Sequence, residues 1–173
     1  MLQIGKTQAA LQQIVEAARL FFEERDPVSI HTLVAASHGI LRDLLLKKGD
    51  GSFLKDSPYV RAEKRTEFHR IINKAQNFFK HANRDPDESL QFDPASTKFL
   101  LLDAIEMLHR LSEVRPPELE IFRAWFVAAH PHFLFDGPFK DQVGALLATP
   151  GFDPNDFNTI RAFLAQLSRS SQA

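Results

Sequence analysis

Residues 94–114 read PASTKFLLLDAIEMLHRLSEV, and the spacing of their apolar side chains decides the fold class. Phe99, Leu100, Leu101, Leu102, Ile105, Met107, Leu108 and Leu111 recur with helical rather than alternating spacing. They cover so wide an arc of a helix that one neighbour cannot bury them all, which predicts a central helix touched from several sides. Asp93-Pro94 supplies its start. The carboxylate accepts from free N–H groups of the first turn, and proline at the next position has no N–H to leave unpaired.

The same Asp-Pro punctuation recurs at Asp26-Pro27, Asp85-Pro86 and Asp153-Pro154. Upstream, a first helix is expected from Thr7 to Glu24 and a second from Asp26-Pro27 to about Lys48-Gly49. A third is expected from about Arg61 to Ala82, with Phe68, Ile71, Ile72, Ala75, Phe78, Phe79 and Ala82 on one face. Pro116-Pro117 ends the central helix and opens a fifth, which runs to His130. Shorter helices follow over about 139–148 and 155–168. No segment alternates with period two. The expectation is an all-α protein: one domain spanning 1–173, an antiparallel bundle of four or five long helices over about 7–130, and two short C-terminal helices within 139–168.

Composition narrows the function classes. Hydrophobic residues are 44% and charged residues 25% of 173, values of a globular chain rather than a disordered one. Sixteen phenylalanines, against one Trp and one Tyr, suit dry helix–helix interfaces because Phe has no polar atom to satisfy. With 21 basic and 22 acidic residues the net charge is −1, so no overall field draws the chain to nucleic acid or an anionic surface. The absence of cysteine excludes disulfides, thiolate chemistry and Cys-based zinc sites. Met1–Ala10 lacks the apolar run of a signal peptide, and no run approaches the roughly 20 residues of a membrane span. A cytoplasmic protein without a membrane partner is the expectation.

The polar residues of the third helix form the most suggestive set. His69, Asn73, Asn77 and His81 repeat every fourth residue, with Lys80 beside them. Such a strip offers donors and acceptors to a phosphate, a base or a peptide backbone, and equally forms a solvated face opposite the Phe-rich one. His31 and His38 are seven apart and share a face of the second helix. Helical metal ligands usually sit four apart, so a hydrogen-bonded structural role is favoured and no metal is expected. Glu106-Met107-Leu108-His109 lacks the second Glu-x-x-His that a di-iron bundle needs. The acidic loop with Asp85, Asp87, Glu88 and Asp93 lacks the spacing of a calcium loop. Asp103 interrupts an apolar run, and a carboxylate buried there requires an Arg, Lys or His partner. No nucleotide-binding or nucleophile motif occurs, and no cofactor is implied.

Two strings, Asp26-Pro27-Val28-Ser29-Ile30-His31-Thr32-Leu33 and Asn77-Phe78-Phe79-Lys80-His81-Ala82, resemble a group of small bacterial all-helical proteins. That resemblance implies no activity but directs attention to His31, Asn77, Lys80 and His81. More loosely, the layout resembles the HEPN superfamily, whose catalytic members carry an Arg followed by a His within a helix. Here Arg123 and His130 have that spacing, although Ala124 replaces the polar residue usual after the Arg. The resemblance implies a metal-independent ribonuclease or RNA-binding protein, with His130 as general acid or base and Arg123 stabilising charge on the phosphate.

Without a complete catalytic constellation, the leading expectation is a non-enzymatic helical interaction domain that binds a protein partner or a second copy of itself. The HEPN-like reading, with RNA as partner, is the alternative. A third is a small-ligand pocket between the second, third and fourth helices, using His31, Asp103 or Asn77.

Overall fold

The computed structural model describes residues 1–83, 86–134, 136–151 and 153–170. Among these there are eight α-helices and no strand. Asp85, of both the Asp85-Pro86 pair and the acidic loop, lies outside the described residues. None of the described helices is long and apolar enough to cross a membrane. The chain divides into two compact units, Met1–Val114 and Arg115–Ala173.

In the first unit, α1 (Lys6–Phe22) and α2 (Pro27–Leu46) meet around small and branched side chains. Ala10, Ile14, Ala17, Ala18 and Phe22 form the buried stripe of α1, and its alanines permit close approach. Asp26 caps α2, its carboxylate accepting from Val28 N at 2.9 Å, with Pro27 at the first helical position. Glu24, between these helices, takes a left-handed φ of 53°.

The central helix is α5 (Thr97–Leu111), entered through a 3₁₀ turn at Pro94–Ser96 that Asp93 caps by accepting from Ala95 N at 2.9 Å. Leu100, Leu101, Ala104, Ile105, Met107 and Leu108 are all buried, and α5 packs on both α1 and α2.

The third expected helix is two helices. After a 3₁₀ turn at Ala62–Lys64, α3 covers Arg65–Ile72 and α4 covers Lys74–Lys80. Asn73 separates them with φ −86° and ψ −1°, and its side-chain oxygen accepts from Lys55 Nζ at 2.7 Å. Asparagine is a weak helix former, and this tertiary bond holds its side chain at the break. The α4 helix packs on α2.

In the second unit, α6 (Pro117–Ala129) leads through a 3₁₀ turn at Pro131–Phe133 to α7 (Pro138–Leu147), and α8 spans Phe157–Ser170. Asp153-Pro154 does not open α8. Asp153 accepts from Asn155 N at 2.8 Å within a turn, and Asp156 accepts from Asn158 N at 3.0 Å at the helix start. The cap is therefore one turn later than the Asp-Pro pair.

Candidate functional site

Asp103, on α5, is buried and accepts four hydrogen bonds. They come from His38 Nε2 on α2 at 2.8 Å, Ser52 Oγ, Phe53 N at 2.9 Å and Leu54 N at 3.4 Å. A carboxylate only accepts, so His38 carries its proton on Nε2. The segment between α2 and α3 is thereby tied down on the helices. Ser52 Oγ accepts from Lys55 N at 2.7 Å, and Asp56 Oδ2 accepts from Ser52 N at 3.0 Å, closing the turn reciprocally. Arg42 grips Asp56 with two bonds, of 2.7 and 2.5 Å. Arg110 bonds Asp50 at 2.7 Å and the Gly51 carbonyl at 2.8 Å, and covers the Phe53 ring at 4.2 Å.

Electrostatics follow from this burial. Burial pushes the Asp103 carboxyl upward, but the bonds from His38 and Ser52 outweigh it and hold it below its ordinary 3.8. Burial lowers His38 from 6.5 against the opposing pull of Asp103, leaving a neutral imidazole. Its Nδ1 is buried and unpaired among the described residues, which a protonated ring tolerates least.

Lys55 is the unexpected member. Its side chain turns inward, only 6% of the residue is exposed, and Nζ donates to Asn73 Oδ1 at 2.7 Å. Burial, with Arg42 nearby, lowers its pKa from 10.5 to about 8. His69 Nε2 donates to the Lys55 carbonyl at 2.7 Å. His69 and Asn73 therefore face the loop rather than open solvent, whereas Asn77, Lys80 and His81 are exposed.

Ser52, His38 and Asp103 do not form a nucleophilic relay. Ser52 Oγ lies 3.5 Å from the same His38 nitrogen that bonds Asp103, and it donates directly to the carboxylate. In a relay the imidazole stands between serine and acid and uses both nitrogens. Among the described residues no group of three or more His, Asp or Glu is placed to hold a metal.

Beside this cluster lies a cavity of about 490 Å³, within the first unit. Leu54, Phe68, Ile72, Phe92 and Leu100 supply much of its wall, and His31, Lys74, Gln91, Asp93 and Ser96 are its polar residues. His31 is 4% exposed, and its Nδ1 is 2.9 Å from Thr97 Oγ1. Phe79 and Phe92 meet the ring edge-on at 5.8 and 5.1 Å. Burial, then Lys55, lowers its pKa below 6.5. Its Nε2 is buried and has no hydrogen-bond partner among the described residues. Thr97 can donate or accept, so neutral His31 can offer Nε2 as an acceptor or as a donor.

No family model, curated protein or solved structure matches this chain.

Sequence reasoning placed His130 on a helix with Arg123, but α6 ends at Ala129. His130 takes φ −133° and ψ 53° because Pro131 follows and disfavours helical backbone before it. Its ring packs against Phe126 at 4.7 Å and Phe133 at 5.9 Å. Arg123 donates to Glu120 at 2.9 Å. A second cavity, of about 500 Å³, lies within the second unit against Trp125, whose indole N–H donates to the Pro154 carbonyl at 2.8 Å.

Ser52, Lys55, Arg42 and Asp56 escaped sequence reasoning. Their only local signal is a serine four residues before an aspartate, Ser52 and Asp56.

Proposed function

We propose that the Met1–Val114 unit is a ligand-binding helical module that holds a small, largely apolar molecule in the cavity beside His31. The observation that carries this is the buried, unpartnered Nε2 of His31 in a wall otherwise built mainly of apolar side chains. A buried polar atom without a partner costs free energy, and a ligand group that bonds it recovers that cost. The volume of about 490 Å³ falls within the roughly 300–1,000 Å³ typical of small-molecule sites. In this reading α1, α2 and α5 are the antiparallel core of a bundle, and α3 and α4 close the cavity over it. The buried Asp103 cluster fixes the connecting segment, including Leu54 of the cavity wall.

Titration with the uncharged apolar fluorophore N-phenyl-1-naphthylamine tests the proposal. Ala75→Trp fills the cavity from α4 and is expected to abolish saturable binding while the unfolding curve stays cooperative. Equal binding by native protein and variant would place the dye elsewhere and remove the support.

Self-association is a second reading for the other unit. Phe133, Phe139 and Phe163 are 57, 59 and 48% exposed there, aromatic surface that a second copy could cover. Sedimentation equilibrium checks this: the reading requires a dimer that Phe139→Ser/Phe163→Ser disperses.

A further inference from the structure

A smaller cleft of about 230 Å³ adjoins the cavity, because Lys74 and Leu90 line both. Its wall is rich in hydrogen-bond donors: Arg70, Lys74, Asn77, His81 and Ser89, with Glu88 the opposing carboxylate. Arg70 and Lys74 are exposed and form no side-chain hydrogen bond or ion pair among the described residues. Lys74 and Asn77 stand one helical turn apart on α4, and Arg70 lies one turn earlier on α3. The result is an apolar cavity opening beside a donor wall with two cations.

We infer that the ligand is a single-chain amphipathic anion. Its mainly apolar tail, carrying one hydrogen-bonding group for Nε2 of His31, occupies the cavity, and its carboxylate or phosphate lies against Arg70 and Lys74. This inference rests on the cavity reading above and adds the charge and polarity of the ligand. An anionic head only accepts hydrogen bonds, which matches a wall of donors. Glu88 leaves the cleft positive by one charge, counting Arg70 and Lys74 against it. Asn77 and His81 then have a role that a purely solvated strip would not give them, as further donors flanking the head group.

Calorimetric titration of the full chain with decanoate, 1-decanol and inorganic phosphate, near pH 7 at low salt, tests this. Decanoate is expected to bind about tenfold more tightly than decanol, the gain from two solvent-facing charge contacts, and inorganic phosphate alone only weakly. Arg70→Gln/Lys74→Gln is expected to bring decanoate down to the level of decanol, with decanol unchanged. Both side chains are exposed, so the variant should keep its unfolding midpoint. Added salt should weaken decanoate selectively. Equal affinities for decanoate and decanol would overturn the anionic head while leaving the cavity reading intact. Phosphate binding as tightly as decanoate would overturn the need for a tail. If neither chain compound binds, both the cavity reading and this inference fall.

Discussion

Replacing Lys55 with methionine should change how stability depends on pH. The Lys55 pKa falls from 10.5 to about 8 on folding, a difference of about 2.5. At about 1.4 kcal/mol per unit, carrying the charge inside costs the native state about 3 kcal/mol at neutral pH. Between pH 8 and 10.5 the unfolded chain binds the proton that the native chain has already released. Stability therefore rises with pH across that window by about 3 kcal/mol and is level in this respect outside it. Urea unfolding of both proteins at intervals from pH 7 to 10.5 isolates the effect, because every other titrating group is common to the two. The native protein should gain on Lys55→Met by about 3 kcal/mol over the window. At pH 7 the variant should be at least as stable, since a methionine of similar length fills the space and half-buried Asn73 can turn to water. Parallel stability curves for the two proteins between pH 8 and 10.5 would refute the reasoning, since Lys55 would then titrate as a solvated amine.

Asp103→Ala leaves His38, Ser52 and two backbone N–H groups without their shared acceptor, and should cost about 3–5 kcal/mol in urea unfolding. Amide exchange at Phe53 and Leu54 should accelerate with it. On the acid side, His31 and His38 have lowered pKa values in the fold, so the unfolded state takes up protons first as pH falls below 6.5. Native stability should decline there, and His31→Gln/His38→Gln should flatten that decline. His130→Ala should not alter any RNA cleavage seen with purified protein, because His130 packs among aromatic rings past the end of α6. Cleavage lost in that variant would favour the HEPN-like reading.

Much of the helical framework is legible in the sequence because its determinants are local. Asp26 and Asp93 cap as their Asp-Pro pairs predict, and most of the wide apolar arc is matched by burial on α5, at Leu100, Leu101, Ile105, Met107 and Leu108, whereas Phe99 is exposed and Leu102 half-buried. Asp153-Pro154 misleads because Asp156, three residues on, has the better place at the start of α8. The break at Asn73 is illegible because a lysine 18 residues upstream holds its side chain. Lys55 itself carries no signal, since its loop has no periodicity and its burial is set by packing against another element. The demand of Asp103 for a partner is readable from its apolar neighbours, but the choice of His38 is not. The fourfold spacing of His69, Asn73, Asn77 and His81 predicts one face. The fold divides it between a loop contact, at His69 and Asn73, and an open cleft, at Asn77 and His81.

The most direct test of the cavity as a binding site is an amide NMR titration with decanoate. The account predicts saturable shifts gathered at His31, Leu54, residues 68–75 and residues 90–100, with little change at residues 121–160. Shifts centred on Trp125 and Ile160, or none at saturating ligand, would contradict it.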